Sequence, residues 1–166
     1  RLFRRQRQMC IRDSLYDAET IYATARDGEK IPIYLVFRKD MRGNKPQPLL
    51  LYSYGSYGST SDPYFSSTRL SLLDRGFIYA ITNVRGSQIF GRKSYEDGKL
   101  LKKKNTFYDF IDAGKHLVNE MYTSPDQLFC SGGSAGGLLI SAVINMEPDL
   151  WKGAISAVPF VDVVTT

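Results

Sequence analysis

LFCSGGSAGG, residues 128–137, is the stretch that decides the fold of this chain. A short apolar run, residues 128–130, precedes the pattern G-x-S-x-G at residues 132–136, and a small-residue apolar segment, residues 135–146, follows it. A strand, a sharp turn with a serine at its tip and a helix form a nucleophile elbow. Glycines flank the serine because side chains there would collide across the turn. We therefore predict that the hydroxyl of Ser134 stands clear of the sheet edge as a nucleophile.

The helix after this serine supplies the second part of the predicted chemistry. The backbone amide of Ala135, at the helix N-terminus, is aimed at a negatively charged oxygen that develops on the attacked carbonyl. A Gly-rich turn could instead bind phosphate. A Walker loop would require Gly-Lys-Ser/Thr, which is absent here, and a dinucleotide fingerprint would require G-x-G-x-x-G early in a unit with an acidic residue downstream. The elbow is therefore the favoured interpretation.

Apolar runs and turn signals predict the elements around the elbow. Asp27-Gly28 is typical of a hairpin turn between two strands. A polar connection over residues 83–104 contains three consecutive lysines, which we interpret as a solvated surface. Thr106 and Asp109 predict a capped start for the clearest helix. The predicted strands cover residues 19–25, 31–37, 49–52, 77–81, 128–130 and 153–158, and the predicted helices cover residues 68–74, 106–121 and 135–146.

The alternation of strands and helices after the first hairpin indicates the fold class. Strand, helix, strand, helix and strand in succession favour an α/β domain with a mostly parallel sheet and helices on both faces. The opening hairpin then forms an antiparallel edge of that sheet.

Composition excludes several other classes of protein. The chain has 166 residues, of which 43% are hydrophobic and 23% are charged, as in a globular domain. No apolar run is long enough for a membrane span, so we expect no membrane partner. Two Cys residues, Cys10 and Cys130, exclude a disulfide scaffold, and a single His excludes a His-rich metal site. We predict neither a metal nor a cofactor.

The basic character of the chain is concentrated at its N-terminus. The formal net charge is +5, and residues 1–14 alone contain five Arg and one Asp. The remainder is therefore nearly neutral. We interpret residues 1–14 as a basic leader, non-native or disordered, that lies outside the fold. A nucleic-acid-binding arm is the alternative, but we expect no nucleic acid partner.

Several longer strings carry a family resemblance. They are ARDG at 25–28, YSYGSYG at 52–58, RLSLLDRGFIYA at 69–80, VRG at 84–86, YEDGKLLKKKNTF at 95–107, GGSAGG at 132–137 and VPFVDVVTT at 158–166. Together they resemble the prolyl oligopeptidase family of serine peptidases, and within it the oligopeptidase B group, from about residue 20 to residue 166. The resemblance implies an α/β-hydrolase domain capped by a β-propeller, cleavage of short peptides after Lys or Arg, and a cytoplasmic location.

The resemblance also implies roles for individual residues. Ser134 matches the nucleophile, Ala135 the donor of one oxyanion amide, and Tyr54 the donor of a hydroxyl to the same oxyanion. Asp62 matches an acidic residue that helps to hold a basic substrate side chain next to the cleaved residue, and Phe160 matches a residue of the primary specificity pocket. Each of the last three has a structural alternative: an aromatic packed in a loop for Tyr54, a turn former for Asp62, and core packing for Phe160.

Two positions depart from the family pattern. Asn83 stands where a His often precedes VRG, and Ser87 stands where a second Gly is common. Both departures leave the shape of the nearby loop open.

The catalytic acid and base expected of this family are missing from the chain. In α/β-hydrolases the triad runs in the order Ser, Asp, His, and no His follows Ser134. His116 precedes the serine, and we expect it to face solvent near Asp112. Asp149 and Asp162 follow the serine, but the acid of the family lies further on. We therefore expect residues 15–166 to be the front portion of a catalytic domain, inactive alone, with an open sheet edge and without its propeller.

Two other functions remain open at this point. A carboxylesterase or lipase of the same fold would carry GDSAGG at the elbow and HGGG upstream, whereas here Gly133 replaces that Asp and YSYGSYG replaces HGGG. A fragment without catalytic activity could act only by binding.

Overall fold

The computed structural model describes residues 15–162 and 164, and the predicted leader therefore lies outside the described residues. The described chain forms a six-stranded sheet in the order β1-β2-β4-β3-β5-β6. The strands are β1 (Tyr16–Thr24), β2 (Lys30–Arg38), β3 (Leu49–Tyr52), β4 (Ile78–Thr82), β5 (Leu128–Gly133) and β6 (Gly153–Ala157). The helices are α1 (Ser67–Leu73), α2 (Arg92–Glu96), α3 (Lys104–Asn119) and α4 (Ala135–Met146), with single-turn 3₁₀ helices at Leu100–Lys102 and Pro148–Leu150.

The first two strands form the predicted antiparallel hairpin. Thr24 pairs with Lys30 at its closed end, and Gly28 in the turn has φ 89, a conformation that glycine adopts without steric cost. β2 also pairs antiparallel with β4, whereas the pairs β4–β3, β3–β5 and β5–β6 are parallel. The α/β class, with a mostly parallel sheet and an antiparallel N-terminal edge, is confirmed.

Helices cover both faces of the sheet, as the alternating pattern predicts. On one face, apolar side chains of α3 and α4, among them Phe110, Leu117 and Leu139, pack on the buried strands in the larger core cluster. On the other face, Leu73 of α1 packs with Tyr79 of β4 in a smaller cluster. None of the helices in the described part of the chain is both long and apolar enough to cross a membrane.

The connection before α3 is more structured than we expected. Within the predicted polar connection, residues 83–104, the chain forms α2 and a 3₁₀ turn, which the sequence did not predict. The capped start at Thr106 is also wrong, because α3 begins at Lys104 without a side-chain cap. The hydroxyl of Thr106 donates to the carbonyl of Gly98 (3.1 Å), and Asp109 accepts hydrogen bonds from Arg85. Distant partners therefore take both side chains that local sequence assigns to a cap.

The sheet topology brings two connections to one edge. β3 and β5 are parallel neighbours, and Tyr52 lies opposite Ser131. The segments that follow these two strands, one containing Tyr54 and the other Ser134, therefore leave the sheet side by side. β6 is the outer strand beyond β5, and its middle residue Ile155 is exposed.

Candidate active site

Ser134 occupies the turn between β5 and α4. β5 ends at Gly133 and α4 begins at Ala135, so a single residue reverses the chain. Ser134 has φ 55 and ψ −116, and a conformation of this kind costs an L-residue about 1–3 kcal/mol. Its N–H donates to the carbonyl of Ala157 at the end of β6 (2.9 Å). The residue is exposed, so the turn has the predicted shape and its serine is accessible.

Two glycines leave room for this turn. A Cβ on Gly132 would collide with the backbone carbonyl of Gly136. A Cβ on Gly136 would lie 2.8 Å from the carbonyl oxygen of Ser53 and 3.2 Å from Cα of Tyr54. Gly133 differs, because a Cβ there would make only ordinary contacts, the nearest at 3.7 Å. Close packing thus explains the two outer glycines of G-x-S-x-G.

The first turn of α4 offers hydrogen-bond donors beside the serine. Ala135 is the first residue of this 12-residue helix, where N–H groups have no acceptor four residues earlier. Aligned peptide dipoles add partial positive charge at that end. An N–H group at this position suits an oxygen that becomes negative when Ser134 attacks a carbonyl. Ala135 thus lies at the helix end where the sequence places an oxyanion donor, and that role remains a prediction.

Tyr54 lies in the connection between β3 and α1, residues 53–66, which we call the tyrosine loop. The loop has no helix or extended strand of its own. The backbone of Tyr54 packs against Gly136 in the first turn of α4, as the close approach of the two residues shows. The structure therefore brings Tyr54 next to the elbow, as the sequence predicts, and leaves the residue half-buried.

A cavity of about 780 Å³ opens along the tyrosine loop. Both Tyr54 and Asp62 line it, and Asp62 is exposed. The guanidinium of Arg69 already lies over the rings of Tyr64 and Tyr79, at 4.5 and 4.6 Å from their centres. The carboxylate of Asp62 and the ring of Tyr54 suit a further cationic group from a ligand. Neither Ser134 nor Phe160 lines this cavity. The other lining residues are Tyr52, Tyr57, Ser59, Thr60, Ser61, Tyr64, Ser66, Thr68, Arg69, Leu72, Tyr79 and Ile81.

Phe160 approaches the elbow through its backbone. Its N–H donates to the carbonyl of Ser134 at 3.4 Å. The residue is 45% exposed, so core packing does not describe it. A role for its ring in a specificity pocket remains a prediction.

Asn83 holds the tyrosine loop against the end of β4. Its side chain is buried; it accepts a hydrogen bond from the N–H of Ser61 (2.7 Å) and donates one to the carbonyl of the same residue (3.1 Å). Ser61 directly precedes Asp62. Sequence reasoning noticed Asn83 only as a departure from the family pattern, because nothing in the local sequence points to a partner 22 residues away.

Lys103 holds the same loop at its other end. Its Nζ donates to the carbonyl of Gly55 (2.6 Å) and to Oγ of Ser56 (2.8 Å). Burial lowers the pKa of Lys103 to about 8. The interpretation of the three-lysine run as a solvated surface is therefore wrong for Lys103, although its neighbours Lys102 and Lys104 are exposed.

The arginine of the VRG string forms a buried ion pair. The guanidinium and the backbone N–H of Arg85 both donate to Asp109 on α3, and the guanidinium also bonds Asp27 in the hairpin turn. These carboxylates raise the pKa of Arg85, and the guanidinium lowers the pKa of Asp27. The pair fixes the backbone next to Gly86, whose carbonyl accepts the N–H of Gly58 in the tyrosine loop (2.9 Å).

The remaining candidate acids and bases lie elsewhere. His116 is half-buried on α3, and the carboxylate of Asp112 bonds Arg26 (2.8 Å). Asp149 is exposed in a 3₁₀ turn, and Asp162 accepts the N–H of Val164 (3.0 Å). Among the described residues, no group of three or more His, Cys, Asp or Glu side chains is placed to hold a metal ion.

Comparisons with known proteins give the same picture. Dipeptidyl aminopeptidase BI from Pseudoxanthomonas mexicana is 54% identical over 154 residues, which are 92% of this chain and 21% of that protein. Protease 2 from Moraxella lacunata is 52% identical over 92% of this chain and 22% of its own length. The structure of oligopeptidase B from Leishmania major has a TM-score of 0.88 and 53% identity over 90% of this chain and 21% of that one.

A second oligopeptidase B structure, from Trypanosoma brucei with covalently bound antipain, has a TM-score of 0.89 and 51% identity over 92% of this chain and 22% of that one. The chain thus spans about a fifth of the length of the curated relatives it matches. Residues 63–166 match the profile of the Prolyl oligopeptidase family. This match and the fold show that the chain belongs to the prolyl oligopeptidase family of α/β-hydrolase domains.

Proposed function

We propose that this chain is the N-terminal part of the catalytic domain of a serine oligopeptidase that hydrolyses short peptides after Lys or Arg. The observation that carries the proposal is the exposed Ser134, held at φ 55 between β5 and the first residue of α4. A serine in this position can reach a carbonyl carbon while the helix N-terminus faces the carbonyl oxygen.

The proposed reaction is acyl transfer in two stages. Oγ of Ser134 attacks the scissile carbonyl carbon, and its proton passes to a His that we place beyond residue 166. The N–H of Ala135 and the hydroxyl of Tyr54 donate hydrogen bonds to the oxyanion. The tetrahedral intermediate then expels the amine, which takes the proton from the His, and water hydrolyses the acyl-enzyme by the same route.

The cavity beside Tyr54 supports a preference for cationic side chains. The carboxylate of Asp62 provides the charge, and Tyr54 and Tyr57, which line the same cavity, provide aromatic faces for a guanidinium or ammonium group. We propose that Asp62 binds the residue next to the cleaved one. Phe160, tethered to the carbonyl of Ser134, is our candidate for the wall of the primary pocket.

A dipeptidyl aminopeptidase is the second candidate function. It is favoured by the 54% identity to a protein of that name. Such an enzyme must recognise a free peptide N-terminus, and the carboxylate of Asp62 could pair with an α-ammonium group as well as with a side chain. An esterase is less favoured, because both of the curated relatives described above are named as peptidases.

The rest of the proposed enzyme comes from outside this chain. We propose that the intact cytoplasmic protein adds the triad Asp and His and a β-propeller, and that residues 1–166 alone are inactive. Without a base, the serine is an ordinary alcohol and attacks amides poorly at pH 7. Reading the coding DNA beyond residue 166 tests this directly: an in-frame Asp followed by a His supports it, and a natural stop codon at that point contradicts it.

A chimera tests the chemistry. Residues 15–162 replace the matching segment of the oligopeptidase B from Trypanosoma brucei, so that any change from the intact host enzyme is due to this segment. We expect the chimera to cleave an N-blocked arginyl-arginyl amide. Ser134→Ala should lower kcat at least about 10⁴-fold, whereas Ser131→Ala, three residues earlier in β5, should leave kcat within about 3-fold as the matched control.

Substrate choice separates the candidates. Faster cleavage of the N-blocked amide than of a free dipeptidyl amide supports the oligopeptidase. If the free dipeptidyl amide is cleaved faster than the N-blocked amide, and the host enzyme does not show this preference, the result supports the dipeptidyl aminopeptidase. Cleavage of a short-chain acyl ester without amide cleavage contradicts both peptidase functions.

A further inference from the structure

Lys103 differs from the lysines on either side of it. Lys102 forms an ion pair with Asp97 (2.6 Å), and Lys104 is exposed. Lys103 lies just before α3 and extends its side chain into the tyrosine loop. Its Nζ donates to the carbonyl of Gly55 and to Oγ of Ser56, at 2.6 and 2.8 Å. These contacts join residues that are almost 50 positions apart in the sequence.

Stability alone does not explain this arrangement. Both acceptors are neutral oxygens, and among the described residues no carboxylate forms an ion pair with Lys103. An ammonium group taken out of water without a counter-charge pays a desolvation cost that hydrogen bonds to neutral oxygens offset only in part. The lowered pKa of Lys103, about 8, has the same cause. Lys103 is only half-buried, and its Nζ also lies 6.0 Å from the centre of the Phe107 ring. A half-buried cation without a counter-charge nevertheless calls for a role other than packing.

The carbonyl that Lys103 binds belongs to the residue directly after Tyr54. Gly55 has φ 67, which most side chains would oppose. The same residue is enclosed on its other sides: a Cβ on Gly86 would collide with its carbonyl oxygen, and the methyl group of Thr106 packs close to its Cα. Lys103 therefore supplies the charged hydrogen bond in an enclosure that fixes the peptide following Tyr54.

We propose that Lys103 is a positioning residue for the oxyanion hole: by holding the Gly55 carbonyl it orients Tyr54 so that the phenol hydroxyl meets the developing oxyanion. The proposal rests on the proposed function, because it takes Tyr54 as an oxyanion donor. A misplacement of a catalytic group by about 1 Å can cost about 100-fold in rate. The hydrogen bond from the Tyr54 hydroxyl to the oxyanion forms only in the transition state. A misplaced hydroxyl should therefore lower kcat and leave KM unchanged.

The test is a double-mutant cycle in the chimera described above, with the N-blocked arginyl-arginyl amide as substrate. The variants are Lys103→Met, Tyr54→Phe and the two combined. Lys104→Met is the matched control, since it removes an adjacent exposed charge. We expect Lys103→Met to lower kcat roughly 10- to 100-fold at unchanged KM, and Lys104→Met to change kcat less than about 2-fold. In the Tyr54→Phe background, Lys103→Met should cost less than about 3-fold, because the group that it positions is already absent.

Three results would overturn the proposal. They are an unchanged kcat in Lys103→Met, an equal loss with and without the Tyr54 hydroxyl, and a loss that appears in KM alone. The second of these is what a merely structural lysine would give. If the chimera with Lys103 intact is inactive, or if its activity survives Ser134→Ala, the proposed function itself is wrong and the positioning role falls with it.

A milder variant keeps the test decisive if Lys103→Met does not fold. Ser56→Ala removes one of the two acceptors and leaves the Gly55 carbonyl in place. We expect a loss of roughly 2- to 5-fold in kcat, again suppressed in the Tyr54→Phe background. Equal losses in the two backgrounds, or no loss at all, would contradict the proposal.

Discussion

The elbow and the tyrosine loop meet at one edge of the sheet, but their shapes have different origins. The elbow is set by neighbours in sequence: β5, one strained serine and α4 follow each other without a gap. The tyrosine loop has no such local framework. Its shape depends on Asn83, which bonds Ser61, and on Lys103, which bonds Gly55. Half of this candidate site is therefore encoded locally, and the other half is imposed by residues distant in sequence.

This difference shows how each half should fail. A side chain added at Gly132 or Gly136 would collide with neighbouring backbone. Those backbone segments cannot move apart without disrupting the sheet. A change at an anchor of the tyrosine loop removes polar contacts, and the loop can then move while the sheet persists. We therefore expect substitution of the elbow glycines to reduce mainly stability, and substitution of the loop anchors to reduce activity as well as stability.

The largest effect is expected at the elbow. Gly132→Ala should destabilise the chimera by about 3 kcal/mol, because the new Cβ collides with the backbone of Gly136. Gly133→Ala is the control, since its Cβ meets only ordinary contacts and should cost less than about 1 kcal/mol. Thermal unfolding of both variants measures the difference, and equal unfolding temperatures would contradict the steric explanation.

An intermediate effect is expected at the anchor of the loop near Asp62. Asn83→Ala removes both hydrogen bonds to Ser61 and should cost about 1–2 kcal/mol. We also expect KM for the N-blocked arginyl-arginyl amide to rise several-fold, because Asp62 directly follows Ser61 and would shift with it. Asn119→Ala, an exposed asparagine at the end of α3, is the control. Loss of stability at unchanged KM would show that Asn83 does not position Asp62.

Lys103 is expected to leave a signature in the pH dependence of stability. Its pKa is about 8 in the folded chain, against an ordinary value of 10.5. Between these values the unfolded chain binds more protons, so the free energy of unfolding gains a contribution that increases with pH. Relative to Lys103→Met, the wild-type chimera should become more stable by about 1–2 kcal/mol from pH 8 to pH 10.5, after allowance for partial exposure.

The comparison with Lys103→Met removes the titration of other groups that are common to both proteins. Lys104→Met should show no such pH-dependent difference from wild type. A stability difference between wild type and Lys103→Met that is flat over this range, or that falls, would show that Lys103 is not desolvated in the folded state.

The smallest effect is expected at the exposed carboxylate. Asp62→Asn should lower kcat/KM about 2- to 5-fold for peptides with Arg next to the cleaved residue, as for a solvent-exposed ion pair. Peptides with Ala at that position should be unaffected. Asp149→Asn, which removes an exposed carboxylate far from the cavity, is the control. Equal losses on both peptides would contradict a side-chain contact with Asp62.

The sequence predicted the part of the site that depends on neighbouring residues. The G-x-S-x-G pattern, preceded by an apolar run and followed by a small-residue helix, was sufficient for the elbow and for the order of strand and helix around Ser134. The Asp27-Gly28 turn was equally readable, because a hairpin closes between residues a few positions apart. The α/β class followed from the same alternation of elements.

Most of what the sequence did not predict depends on partners far along the chain. The local sequence predicts Asp109 as part of a helix cap, but its carboxylate instead accepts a hydrogen bond from Arg85, 24 positions away. Lys103 looked solvated because polar runs usually are, and its acceptor Gly55 lies 48 positions earlier. α2 was missed because it has only five residues and no side-chain cap. No local pattern distinguishes such residues from ordinary surface.

The backbone of Ser134 is hydrogen-bonded on one side to the last residue of β6 and on the other to the segment that follows β6. Its N–H donates to Ala157, and its carbonyl accepts from Phe160. A disturbance of the serine's own peptide therefore reaches an aromatic ring that stands partly in solvent. A fluorine atom on the Phe160 ring would therefore report acylation of Ser134 through its ¹⁹F NMR signal, without contact to the leaving group or the attacking oxygen.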